Sequence, residues 1–126
     1  MKPNFAALAD QFIAAYNAKD MATLRAATAP NLDFTHFNRD FKFDNNEGLI
    51  AVLENFASNL VPDRRFLPPE RVTVSGNIVV REAFYTGTAT VDLPGFAPAG
   101  GTIMLKFCSV LRFDDLGILV EWKDYG

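Results

Sequence analysis

Apolar residues near the start of the chain fall at Phe5, Leu8, Ala9, Phe12, Ile13 and Tyr16. That spacing gives a helix one buried stripe, and Asn4 stands where its N-cap belongs. Asn17 to Asp20 interrupts the pattern. Asp20 can cap a second short helix running through Ala27, which Pro30 is expected to stop. The period then changes to two. In NLDFTHFN, Leu32, Phe34, His36 and Asn38 share one face, and Asp33, Thr35 and Phe37 share the other. RDFKF is too short to decide between a second strand and an irregular excursion. Asp44 to Asn46 supplies capping chemistry for a third helix, whose stripe is Leu49, Ile50, Leu53, Phe56, Ala57 and Leu60. Pro62 bounds it.

The second half reads as β. ERVTV predicts a strand, SGN a turn, and IVVREAFYTGTATV a long strand rich in branched and aromatic residues. DLPGFAPAGG predicts a loop beside an opening. TIMLKFCSVLRF and ILVEWKDY predict the last two strands, joined by a turn at DDLG. In the final strand Ile118, Val120, Trp122 and Asp124 are expected on one face. Asp124 has then either reached the solvent rim or is held inside an apolar space.

Helices followed by a run of antiparallel strands predict an α+β fold, with three helices from the first half packed on one face of a cone-shaped, curved, mixed or antiparallel sheet. The length of 126 residues suits one domain spanning 1–126. Phenylalanine is the unusual component, at 12 residues. Such a content calls for a large aromatic core or an apolar cavity.

Charge narrows the partners. The net charge is −3 and the only adjacent basic pair is Arg64–Arg65, so the electrostatic footprint of nucleic-acid binding is missing. No apolar run reaches the roughly 18 residues of a membrane span. Cys108 is the only cysteine, and no basic segment followed by an apolar run opens the chain. Both features predict a cytoplasmic location. One histidine and one cysteine offer no ligand set, so no metal is expected, and nothing calls for a cofactor. Cys108 is read as a small buried hydrophobe.

Three stretches carry a resemblance. FIAAYNAKDMATL resembles the first helix, Asn-x-x-Asp turn and second helix of the NTF2-like superfamily. DFTHFN sits where that superfamily's first strand bears polar pocket residues. GILVEWKDYG resembles its last strand, Gly-x-Ile-x-x-Trp-x-Asp-Tyr. Within the superfamily the pattern is most similar to the SnoaL-like group, with its limonene-epoxide hydrolase, polyketide cyclase and ketosteroid isomerase relatives.

The resemblance implies the cone fold (a cystatin-like roll), a homodimer, and cofactor-free acid–base chemistry on an apolar, oxygen-bearing small molecule: isomerisation, dehydration, cyclisation or hydrolysis. It implies Asp124 as base or proton relay, His36 as its partner, and Asn38 orienting water or a carbonyl. Phe12, Tyr16, Phe34, Phe56, Arg81 and Trp122 are the expected pocket residues. His36 stands where the epoxide hydrolases have tyrosine, and Arg81–Glu82 replaces their Arg-x-Asp pair. Adjacent strand residues face opposite ways, so Arg81 and Glu82 cannot both enter a pocket from a regular strand. A non-catalytic binding module and a dimeric assembly module are the rival expectations.

Overall fold

The computed structural model describes residues 3–126. Helix α1 (Phe5–Asn17) starts as its sequence requires: the Asn4 side-chain oxygen accepts a hydrogen bond from the Ala7 amide. Helix α2 (Met21–Ala27) is capped in the same way by Asp20. Strand β1 (Thr28–His36) begins earlier than its alternation predicts and contains Pro30. The proline does not stop an element here. It lies where the pairing of β1 with the last strand shifts register between Thr28 and Asp33, so its missing N–H interrupts no regular ladder.

A single 3-10 turn (Phe37–Arg39) leads into strand β2 (Phe41–Phe43). Helix α3 (Asn46–Asn55) is capped by Asn45, and the expected continuation to Leu60 is a π turn (Phe56–Leu60). Then come β3 (Arg65–Phe66), β4 (Arg71–Ser75), β5 (Ile78–Thr88), β6 (Thr102–Phe113) and β7 (Leu119–Tyr125). At two residues, β3 is too short to leave a periodic signal. The long strand β5 ends at Thr88 instead of running on through Val91.

The strands form one sheet in the order β2-β1-β7-β6-β5-β3, with β4 also paired to β5. The β1–β7 pair is parallel and the other pairs are antiparallel. The sheet is mixed, curved and unclosed, and the helices cover its inner face, giving the expected α+β cone. Helix α1 packs against β3, β4 and β5, whereas α3 packs against β1 and β2. Two local devices dock the first group. Asn17 both donates to the Phe66 carbonyl and accepts from the Phe66 amide. Gly87 lets the Val61–Arg64 segment lie on β5, since a Cβ there would come within 2.4 Å of Val61.

One register detail corrects the reading of the last strand. Arg112 pairs with Glu121 but Phe113 pairs with Leu119, so Val120 is an extra residue in the ladder. The bulge turns Leu119 inward to full burial, in place of Ile118 and Val120, while Trp122 and Asp124 stay inside. Cys108 lies on the outward face and is half-buried, so it is not a core residue. Among the described residues no helix is long and apolar enough to cross a membrane.

Candidate functional site

The in-register pairs place Arg81 beside Ser109, Ser109 beside Asp124, and Asp124 beside His36. All four face inward, at 5%, 3%, 3% and 9% exposure. They make a polar row across the inner face of four neighbouring strands. The row beside it is apolar: Val79, Leu111, Trp122, Phe34 and Phe43.

A cavity of about 280 Å³ opens over the β1–β7 part of this surface. Its walls are almost wholly apolar, formed by Phe34, Phe66, Phe107 and Trp122 from the sheet, Leu49, Val52 and Leu53 from α3, Phe56 and Leu60 from the π turn, and Phe96 from the 89–101 connection. Tyr16, Tyr85, His36, Arg39 and Asp124 are its polar components.

Asp124 is the central group. Its Oδ1 accepts a 2.7 Å hydrogen bond from Trp122 Nε1, its neighbour two residues back on the same strand face. Burial pushes its pKa up to about 6, moderated by the Ser109 hydroxyl and the Trp122 indole. The carboxyl therefore changes charge close to neutrality.

Tyr16 from α1 and Tyr85 from β5 join hydroxyls at 3.0 Å. Two hydroxyls sharing one hydrogen bond leave one O–H over, and no other hydrogen bond to either hydroxyl is formed among the described residues. Burial pushes Tyr16 up to about 12 and Tyr85 well above the ordinary value, and the charge of Asp124 adds to both shifts. The pair stays protonated. The buried Arg64 guanidinium backs it, 3.7 Å from the Tyr16 ring centre and donating to the Tyr16 carbonyl at 2.6 Å.

His36 does not hydrogen-bond to Asp124, although the two are register partners. Both ring nitrogens are buried without a partner among the described residues. Burial, with the positive charge of Arg39, holds its pKa down at about 4, so the ring is neutral at physiological pH. It stands edge-on to Phe107.

Of the residues singled out in the sequence, Tyr16, Phe34, His36, Phe56, Trp122 and Asp124 line the cavity. Asn38 does not. The strand ends at His36, so period two no longer applies, and Asn38 is exposed, accepting a hydrogen bond from the Gly126 amide. Phe12 stands behind the wall, edge-on to Trp122 at 5.2 Å. Arg81 turns toward α1 and pairs with Asp10 at 2.8 Å, because α1 covers its end of the row. Glu82 faces outward and pairs with Arg71, as strand alternation requires.

Arg39 and Tyr85 were not among the expected site residues. Tyr85 was findable, since it follows Arg81 and Ala83 on the inward face of β5. Arg39 left no periodic signal, because a 3-10 turn returns it to the cavity. Among the described residues, no group of three His, Cys, Asp or Glu side chains is placed to hold a metal ion.

Comparison with known proteins agrees with this fold. The family model of the SnoaL-like domain matches residues 9–122. Among solved structures, a candidate SnoaL-like polyketide cyclase from Shewanella denitrificans superposes with a TM-score of 0.79 at 24% identity, covering 98% of this chain and 90% of that one. An NTF2-like protein of unknown function from Burkholderia pseudomallei gives 0.76 at 23% identity, with coverage of 97% and 89%. An LEH-like epoxide hydrolase from M. tuberculosis gives 0.76 at 17% identity, with coverage of 98% and 83%. At these identities the likeness is one of fold. No curated protein sequence matches the chain.

Proposed function

We propose that this chain, which belongs to the SnoaL-like domain family of the NTF2-like superfamily, binds an apolar carbonyl compound in the cavity and moves a proton at the carbon next to the carbonyl, without a cofactor. The observation that carries the reading is Asp124, a carboxyl on the floor of an apolar cavity with its pKa pushed up to about 6. A base near that value is mostly ionised at neutral pH and is basic enough to accept a carbon-bound proton.

The chemistry follows from the neighbouring groups. The Asp124 carboxylate takes the proton, and Trp122 holds the carboxyl in place through Oδ1. The spare O–H of the Tyr16–Tyr85 pair donates to the carbonyl oxygen as charge builds there. The resulting enolate accepts the proton at another carbon, expels a β-hydroxyl, or attacks an internal electrophile. These are isomerisation, dehydration and cyclisation. Hydrolysis fits less well, because Asn38 faces outward and Arg81 is engaged by Asp10, leaving Asp124 without the groups that would orient water. The candidate polyketide cyclase among the structural neighbours is consistent with an enolate route.

The test is deuterium incorporation from D2O into 2-tetralone, a bicyclic ketone with acidic α-protons, followed by proton NMR. The expected rate exceeds buffer, rises with pH through a midpoint near 6, and drops by about 100-fold or more in Asp124→Asn. An unchanged rate in that variant removes the assignment. Binding of the ketone without exchange selects a second reading, a binding module, which the absence of a His36–Asp124 hydrogen bond favours.

A further inference from the structure

The cavity wall carries polar groups that proton transfer at Asp124 does not use. Arg39 donates through Nη1 to the Gly126 main-chain oxygen and through Nη2 to the Gly95 carbonyl oxygen at 3.0 Å. Its guanidinium carbon stands 4.7 Å from the centre of the Phe96 ring and 5.8 Å from that of Phe107. These contacts fix the guanidinium plane at the cavity wall. The remaining donor, Nε, is buried with no partner among the described residues, and so are both ring nitrogens of His36. Native proteins leave only a few buried polar atoms unpaired per hundred residues. Of the five such atoms among the described residues, three lie within four residues on two side chains that line one cavity, and the other two belong to Arg64.

We propose that this end of the cavity receives the anionic oxygen group of its ligand, so that the ligand is an apolar acid and Arg39 sets that preference. The inference rests on the cavity being the ligand site, as proposed above, and adds the ligand's chemical class. A neutral oxygen acceptor would pair Arg39 Nε without meeting the guanidinium charge. An anion satisfies the donor and the charge together, and the low-dielectric surroundings strengthen that attraction. Arg39 belongs to none of the ion pairs formed among the described residues. Asp124 does not supply the missing acceptor, since no hydrogen bond or ion pair joins it to Arg39 among the described residues and its Oδ1 accepts from Trp122. The neutral His36 ring contributes one N–H donor beside Arg39.

Titration of the full chain with 2-naphthoate, 2-naphthamide and methyl 2-naphthoate at pH 7.5, read by calorimetry, tests the preference. The three share one apolar body and differ in the charge of the head group. The expected result is that the acid binds about 10-fold or more tighter than the amide or ester, and that Arg39→Gln narrows the ratio to about 2-fold. A purely structural role for Arg39 would weaken all three ligands alike and keep the ratio. If thermal melting shows Arg39→Gln to be unfolded, Arg39→Lys replaces it, with a reduced but surviving preference expected, because lysine keeps the charge and loses the planar donor set. Amide or ester binding as tight as the acid, or a ratio unmoved by the variants, overturns this inference and leaves the cavity reading standing. Failure of all three to bind overturns both.

Discussion

The polar row on the inner face of the sheet ends differently at its two sides. At the β5 end, Arg81 is covered by α1 and reaches Asp10, so its charge is met by the fold itself. At the β1 end, His36 lies in register with Asp124, yet both its ring nitrogens are unmet. The helices make the difference. Helix α1 sits close on β3–β5 and buries Ala9, Phe12 and Ile13 there. Helix α3 and the π turn after it stand over β1 and β2 and leave a hollow. A burial that is satisfied internally needs nothing from outside. A burial left unsatisfied is a cost to folding that a ligand can offset.

The sharpest way to break this contrast is to remove an aromatic ring from each half. Phe12→Ala, in the filled half, is expected to cost about 3–5 kcal/mol in urea unfolding. Phe56→Ala, on the cavity wall, is expected to cost about 1–2 kcal/mol, because its ring already faces empty space on one side. Equal losses would mean that the two halves are packed alike.

The next effect is one of pH. Asp124 has its folded pKa raised to about 6, so its contribution to stability is complete below the unfolded value of 3.8 and is lost as pH rises toward and through 6. His36 has its folded pKa lowered to about 4, so its contribution is complete above 6.5 and is lost as pH falls toward and through 4. Between pH 4.5 and 6 the two slopes oppose each other, each worth about 1 kcal/mol per pH unit. Measured against wild type, Asp124→Asn should gain stability as pH rises across that window, and His36→Phe should gain it as pH falls. Parallel curves for all three proteins would show that neither group is held as described.

The smallest effect sits at the satisfied end. Asp10→Asn removes the partner of Arg81, but Asp10 is mostly exposed and water replaces part of the lost interaction. A loss of about 1 kcal/mol is expected in urea unfolding, with 2-tetralone exchange unchanged. A change in exchange would mean that the two ends of the row communicate.

Much of this was legible in the sequence, and the exceptions have a common cause. The stripes of α1 and α3, the Asn4, Asp20 and Asn45 caps, and the inward faces of β5 and β6 follow from local periods of 3.6 and 2. The placement of Trp122 and Asp124 on one strand face follows from the same rule, and the structure turns that face inward. Local pattern could not show that Val120 bulges, because a bulge is defined by the partner strand. Nor could it show that the strand face of Leu32, Phe34 and His36 stops before Asn38, or that a turn brings Arg39 back in its place. The period of a segment is fixed by its own backbone geometry. What a side chain meets across the sheet depends on strands and helices distant in the chain. The sequence alone therefore determined the helices, their caps, the long strands and the sharing of one strand face by Trp122 and Asp124. Only the tertiary structure decided which polar groups would find partners and which would face an open cavity.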